Sequence, residues 1–222
     1  MWEQHWNTAE AFEAAAQDER CWGISADVRI TADGQFVCFH DSTVNASTDG
    51  TGRIEDMTLA EVQALNVTRG IWNGSAWVTG PSAKIPLLTD FLDICRKHGK
   101  IALIETKAAG SADIKDLSNE ALEAIMGYIS ARGMNDSVGF IVPAASRSFL
   151  YHNHPEVYRL ALYTSAITVS AVSERLYDPN LVYVAYAYDD SLVPDSVIDF
   201  IHRNGSFIFW MHNKGRRGSF AL

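Results

Sequence analysis

Five polar residues lie within or at the end of apolar runs, where a side chain can reach a ligand and still be held by a rigid scaffold. Asp27 lies in GISADVRI, His40 and Asp41 close FVCFHD, and Glu105 and Lys107 lie in IALIETK. Two carboxylates from different strands could hold a hard divalent cation through oxygen ligands. A nearby histidine could then act as general acid or base on an activated ester. The alternative is a set of solvated charges at a rim beside a hydrogen-bonded His40.

Glu105 and Lys107 are two positions apart, which places both side chains on one face of a strand. Because burying a lone charge is costly, charged residues at the end of an apolar run must be paired, bound to a metal or exposed to water. The spacing alone leaves these three outcomes open.

Helices and apolar strands alternate along the chain. We predict helices over 7–19, 58–66, 88–98, 113–132, 145–153 and 193–205, and strands over 23–30, 36–40, 101–107, 137–142, 159–164, 181–188 and 206–213. This alternation favours an α/β fold with a parallel sheet closed or covered by helices. In a barrel of this kind, the active site lies at the carboxyl ends of the strands. We expect one domain over residues 1–222, with a polar insertion loop at about 41–57.

Composition excludes several classes of protein. The 222 residues carry a formal net charge of -9, which argues against nucleic-acid binding. Three scattered cysteines are too few for a disulfide framework or a zinc site. No apolar run approaches the ~18 residues that span a bilayer. The first residues lack a basic segment followed by an apolar one, so we expect a cytoplasmic protein.

Several segments, taken in order, resemble the glycerophosphodiester phosphodiesterase family. They are GISADVRITADGQFVCFHD, STVNASTDGTGRIEDMTLAEVQAL, IPLLTDFL and IALIETK, within a likeness over about residues 6 to 213. The resemblance implies a TIM-type (β/α) barrel and a role in lipid metabolism. It also implies metal-assisted hydrolysis of small-molecule glycerophosphodiesters to an alcohol and glycerol 3-phosphate. In this family Mg²⁺ or Ca²⁺ is held by Glu, Asp and Glu, and two histidines act as acid and base.

The resemblance assigns roles to individual residues of this chain. Asp27 and Glu105 correspond to metal ligands, His40 to the second catalytic histidine, and Lys107 to the lysine beside the phosphate. In WMHN, near the end of the sequence, Trp210 and Asn213 fall where the family has substrate-side residues.

The chain departs from the family pattern in three places. Ser25 stands where the family has its first metal carboxylate, so one neutral oxygen replaces a charged ligand and we expect a weakened cation site. Asn7 and Thr8 align with the family's Glu-Asn-Thr, and the His-Arg-Gly strand with the first histidine is absent. The tail beyond Asn213 does not resemble the last strand. We therefore expect a barrel incomplete at both ends, whose open edges a homodimer would cover.

Three functional interpretations follow. The first is a hydrolase of the glycerophosphodiester phosphodiesterase type. The second is a degenerate member of that family that binds a phosphate-bearing ligand or a partner protein without turnover. The third is an acidic α/β domain whose charges are simply solvated.

Overall fold

The computed structural model has the predicted α/β architecture. It describes residues 7–19, 21–68, 71–72, 77–78, 82–111, 117–163, 168–170, 181–185, 194–204 and 208–210. None of the helices in these ranges is long and apolar enough to cross a membrane.

A seven-stranded sheet forms the centre of the fold. Its strands are β1 (Gly23–Ile30), β2 (Phe36–Cys38), β5 (Ile101–Thr106), β6 (Val138–Ile141), β7 (Tyr158–Tyr163), β8 (Leu181–Ala185) and β9 (Ile208–Trp210). The spatial order is β2-β1-β5-β6-β7-β8-β9. All neighbours are parallel except β1 and β2, which form an antiparallel hairpin. A separate two-stranded sheet pairs β3 (Ile71–Trp72) with β4 (Trp77–Val78).

One helix precedes β1, and helices follow β2, β5, β6 and β8, where they make the connections that parallel strands require. They are α1 (Ala9–Ala16), α2 (Leu59–Ala64), α3 (Leu88–His98), α4 (Asn119–Ser130), α5 (Ala144–Asn153) and α6 (Asp195–Arg203). Their ends follow local chemistry. Thr58 begins α2 with a capping box to Glu61, and Gly99 ends α3 in the left-handed conformation at φ 63°.

The main hydrophobic core lies between one face of the sheet and the helices. Ile24, Ala26 and Val28 alternate along β1 and pack in this core with Phe12 of α1 and Phe91 of α3. The two phenylalanine rings are 4.7 Å apart between centroids. Residues 25, 27 and 29 of β1 consequently face the other side of the sheet.

A second, smaller core lies under the predicted insertion loop. Its buried members are Val37, Phe39, Val44, Ile54, Val62, Val67, Ala83 and Ile85. The segment 41–57 is an irregular excursion with a short 3-10 helix at Ile54–Asp56, and Val44 and Ile54 anchor it in this second core. Strand β2 separates the two cores, since Phe36 and Cys38 point into the main one and Val37 and Phe39 into the second. This explains why β2 is apolar at every position.

Most predicted elements are present, with ends that differ by a few residues. The range of β1 is as predicted, and so is that of α3. The helix predicted over 113–132 begins at Asn119, with 112–116 outside the described residues. The short β3–β4 pair was not predicted, because each strand has only two residues and no measurable periodicity.

Candidate active site

Two carboxylates and one ammonium group meet on the face of the sheet opposite the main core. Asp27 and Glu105 are Cα partners on the parallel strands β1 and β5. Lys107, just past the end of β5, places its Nζ 3.0 Å from Asp27 Oδ1 and also contacts Glu105 Oε1. The Glu105 and Lys107 side chains are almost fully buried, whereas Asp27 is half-buried. Glu105 and Lys107 are therefore paired with each other, which is one of the three outcomes that their spacing left open.

Asn7 completes the surroundings of Asp27. Its Nδ2 donates to Asp27 Oδ2 at 2.7 Å, and its Oδ1 accepts from the Asp27 backbone N–H at 2.9 Å. Asn7 has φ 53°, a left-handed conformation that asparagine tolerates better than most residues. Thr8, not Asn7, is the N-cap of α1. The side chain of Asn7 is thereby available to orient the carboxylate.

Burial and like charge set the protonation of this cluster. The pKa of Glu105 is raised, first by burial and then by the Asp27 carboxylate, against the lowering effect of Lys107. For Lys107, burial lowers the pKa, but the two carboxylates together outweigh it and the net pKa is raised. Lys107 accordingly stays charged at neutral pH. A bound cation would add a second positive charge beside Lys107 and would further reduce the repulsion between the Asp27 and Glu105 carboxylates.

His40 lies beside this cluster because β2 runs back along β1. The Phe39 N–H donates to the Asp27 carbonyl at 2.8 Å, so the next residue is brought to the level of the carboxylates. The hairpin turn that reverses the chain includes Gly34 at φ 77°, whose N–H donates to the Thr31 carbonyl. His40 therefore reaches the site through an antiparallel strand and not from the carboxyl end of a parallel one.

The imidazole of His40 is oriented by its neighbour in sequence. Its Nδ1 lies 3.0 Å from Asp41 Oδ1, and Asp41 Oδ2 accepts a hydrogen bond from the buried Ser47 hydroxyl. A carboxylate at Nδ1 favours the tautomer in which Nδ1 carries the proton, which leaves the lone pair on Nε2. About two fifths of the His40 side chain, 41%, is exposed, so the imidazole is accessible to a ligand.

The donors present suit a hard cation with few protein ligands. Asp27 and Glu105 offer carboxylate oxygens side by side, and Ser25, on the same face of β1 two positions before Asp27, offers a hydroxyl. No group of three His, Cys, Asp or Glu side chains is placed to hold a metal within the described ranges. Mg²⁺ commonly uses only one or two protein carboxylates and completes its shell with water and substrate phosphate. The residues fit such an ion.

The described residues bring together most of the predicted site. Ser25, Asp27, His40, Glu105 and Lys107 lie on or beside β1, β2 and β5. Trp210 is the last residue of β9, and only its backbone is described. Asn213 lies outside the described residues.

Two contacts of the site were not predicted from the sequence. Asn7 is aligned with the family's Glu-Asn-Thr, but nothing in the sequence indicates its contact with Asp27, which lies 20 residues away. Asp41 was noted as a polar residue, but its contact with His40 depends on side-chain rotamers.

Comparison with known proteins places the chain among phosphodiesterases. It matches the Glycerophosphoryl diester phosphodiesterase family over residues 4–208. Glycerophosphodiester phosphodiesterase 1 of Bos taurus is 36% identical over 101 residues, 46% of this chain and 29% of that protein. A glycerophosphodiester phosphodiesterase of Caldanaerobacter subterraneus is 31% identical over 122 residues, 55% of this chain and 47% of that protein. The matches thus span less than half the length of these relatives.

Solved structures show the same fold. The glycerophosphodiester phosphodiesterase of Agrobacterium tumefaciens aligns with a TM-score of 0.67 at 21% identity, over 94% of this chain and 80% of that one. A phosphodiesterase of Oleispira antarctica aligns with a TM-score of 0.63 at 18% identity, over 92% of this chain and 86% of that one. The neighbours are TIM barrels, which confirms the predicted fold class. On its sequence match, its fold and the order of its motifs, this chain belongs to the glycerophosphoryl diester phosphodiesterase family.

Proposed function

We propose that this chain is a metal-assisted phosphodiester hydrolase that converts glycerophosphodiesters to an alcohol and glycerol 3-phosphate. One observation carries the proposal: Asp27, Glu105 and Lys107 form a compact charged cluster beside His40, whose imidazole is partly exposed. Relatives named as glycerophosphodiester phosphodiesterases support the substrate class. The Oleispira antarctica phosphodiesterase, solved with the product sn-glycerol-3-phosphate, supports the product.

The family is generally dependent on a divalent cation. We assign the ion, Mg²⁺ or Ca²⁺, to Asp27 and Glu105, with the Ser25 hydroxyl as a neutral third oxygen. Such an ion, when bound, supplies Lewis-acid polarisation of the phosphoryl oxygens. The two carboxylates and one ammonium sum to a charge of -1, so the protein's own charge favours a cation less than three carboxylates would.

The residues of the chain have separate tasks in this proposal. His40 exchanges a proton at Nε2 with the attacking water or with the oxygen of the departing alcohol, while Asp41 holds the ring. The ammonium of Lys107 donates to a non-bridging phosphate oxygen and so reduces the charge that builds up during hydrolysis. Trp210 and Asn213 are proposed to contact the substrate.

The test is metal-dependent turnover. The purified chain is incubated with glycerophosphocholine and Mg²⁺ or Ca²⁺, with chelator as the control, and glycerol 3-phosphate is measured. Ser25→Glu is assayed in parallel, because it restores the third carboxylate. If neither wild type nor Ser25→Glu turns over substrate in a metal-dependent way, the proposal fails.

A second candidate function is binding of a phosphate-bearing ligand without turnover. It is favoured by the contacts of Lys107, which already compensate both carboxylates, and by the small number of metal-binding side chains in the described residues. Calorimetry with glycerol 3-phosphate separates the two candidates, since binding without any hydrolysis supports the second. The homodimer expected from open barrel edges stays a prediction, which gel filtration tests.

A further inference from the structure

Arg29 is one of the largest fully buried side chains in the described part of the protein. It follows Asp27 by two positions on β1, so it lies on the same face of the sheet, one step further along the strand. A guanidinium is tolerated in such a place only where its N–H groups find acceptors. The acceptors that it finds indicate what the residue does.

The two terminal nitrogens of Arg29 bind four oxygens. Nη1 donates to Glu55 Oε1 at 2.6 Å and to the Ala108 carbonyl at 2.7 Å. Nη2 donates to the His40 carbonyl at 2.8 Å and to the Ser111 carbonyl at 2.5 Å. The four oxygens come from three separate segments: the end of the β1–β2 hairpin, the 3-10 turn of the excursion, and the loop after β5.

Two of these segments carry residues of the candidate active site. The first contains His40 itself, and Ala108 directly follows Lys107. Arg29 therefore joins the backbone under the imidazole to the backbone beyond the ammonium.

Three of the four contacts of Arg29 are to backbone carbonyls, and the fourth is an ion pair with a single oxygen of Glu55. A bidentate arginine–carboxylate pair would have used both Glu55 oxygens, but Glu55 Oε2 and Arg29 Nε are buried without a hydrogen-bond partner in the described residues. The planar fork instead spreads its donors over different segments. A lysine has one nitrogen and could not reach all of these acceptors at once.

We propose that Arg29 is a positioning residue of the candidate active site, which holds the backbone at His40 in register with the loop after Lys107. The proposal rests on the hydrolase function proposed above. Its catalytic effect is indirect, since Arg29 sets where the imidazole sits relative to Asp27 and Glu105. Misplacing a reacting group by about 1 Å can cost about a hundredfold in rate.

The test compares Arg29→Lys with Arg159→Lys. Arg159 is a matched control, because it is equally buried and also donates to three backbone carbonyls, at the amino end of β7. Arg29→Lys should lower kcat by about tenfold to a hundredfold with KM changed less than about threefold. Arg159→Lys should keep kcat within about twofold. An unchanged kcat in Arg29→Lys, or an equal loss in both variants, overturns the proposal.

Hydrogen–deuterium exchange supplies a measurement that does not depend on turnover. In Arg29→Lys, amides in residues 40–57 and 107–111 should exchange faster, whereas Arg159→Lys should leave both segments unchanged. If neither wild type nor Ser25→Glu turns over substrate, the hydrolase proposal fails, but exchange still decides whether Arg29 anchors these segments. Unchanged exchange in both segments overturns the anchoring.

Glu55→Gln is the second variant and replaces Arg29→Lys if that protein does not fold. It preserves the shape of the side chain and removes only its charge. We expect kcat to fall by about threefold to tenfold and exchange in residues 40–57 to increase. A variant with wild-type kcat and wild-type exchange contradicts the proposal.

Discussion

Asp27 and Glu105 occupy paired positions on neighbouring parallel strands, so two carboxylates share one face of the sheet at the separation of adjacent strands. Lys107 contacts both and offsets their mutual repulsion. In the proposed hydrolase, this arrangement holds two oxygen ligands at a defined spacing before a cation binds. Preorganisation of this kind is what an electrostatic catalyst requires.

Asp27→Asn tests the first of these ligands. It preserves the size of the side chain but removes its charge, so metal-dependent kcat/KM on glycerophosphocholine should fall by about a hundredfold or more, about 3 kcal/mol of transition-state stabilisation. Asp93→Asn is the control, because Asp93 lies half-exposed on α3 and pairs with Arg132. Turnover that survives Asp27→Asn would show that the site assignment is wrong.

Ser25→Glu tests the charge deficit of the site. A third carboxylate on the same face should tighten Mg²⁺ or Ca²⁺ binding by about tenfold, or about 1.4 kcal/mol, as measured by calorimetry. Ser25→Gln has nearly the same size and no charge, so it separates charge from shape. Equal affinities in the Glu and Gln variants would rule out Ser25 as a ligand position.

Asp41→Asn tests the orientation of the imidazole. Since Asp41 holds His40 through Nδ1, the asparagine should lower kcat by about tenfold to a hundredfold, which is less than the loss in His40→Asn. Steady-state kinetics of the two variants and of the double variant measure the effect. If Asp41→Asn is silent while His40→Asn is inactive, Asp41 does not orient the ring.

Asn7→Ala tests the contact that fixes Asp27. The variant loses two hydrogen bonds to Asp27, worth about 2 kcal/mol together, and forces alanine into a left-handed conformation that costs about 1 kcal/mol more. We expect the free energy of unfolding in urea to fall by about 3 kcal/mol. Asn7→Gly adopts the positive φ without strain and isolates the two hydrogen bonds. Equal losses in both variants would show that the backbone conformation contributes nothing.

Glu13→Gln tests the contact between α1 and α3. The hydrogen bond from Lys97, with a smaller contribution from His98, holds the pKa of Glu13 below 4.5. The folded pKa is therefore below the unfolded one, so the pair stabilises the protein above pH 4.5 and this stability is lost as pH falls through the folded pKa.

Because Glu13 is partly exposed, the stabilisation is screened. Glu13→Gln should lower the free energy of unfolding at about pH 7 by no more than about 1 kcal/mol, and should match wild type at about pH 2. Urea unfolding at several pH values measures it, with Glu10→Gln as the control on the same helix. A difference that persists unchanged at acid pH would exclude the ion pair as its cause.

Local signals explain which elements could be predicted. The alternating run at 23–30 and the turn residues Asp33 and Gly34 predict the hairpin, and Gly99 predicts the end of α3, because these features depend on residues close in sequence. The sequence predicts a loop over 41–57 but not how it packs, since its apolar residues are few and far apart. They become a core only when Val67, Ala83 and Ile85 join them from later in the chain.

The sequence by itself determined the family, the alternation of strands and helices, and the identities of Asp27, His40, Glu105 and Lys107 as candidates for chemistry. Tertiary structure alone decided which charges meet, because Lys107 compensates Asp27 across a strand pair 80 residues apart in the chain. It also decided that Asn7 and Arg29 support the site, through contacts 20 and 82 residues apart. Hydrogen bonds and charge pairs depend on distances in space, which spacing along the chain does not specify until the sheet is assembled.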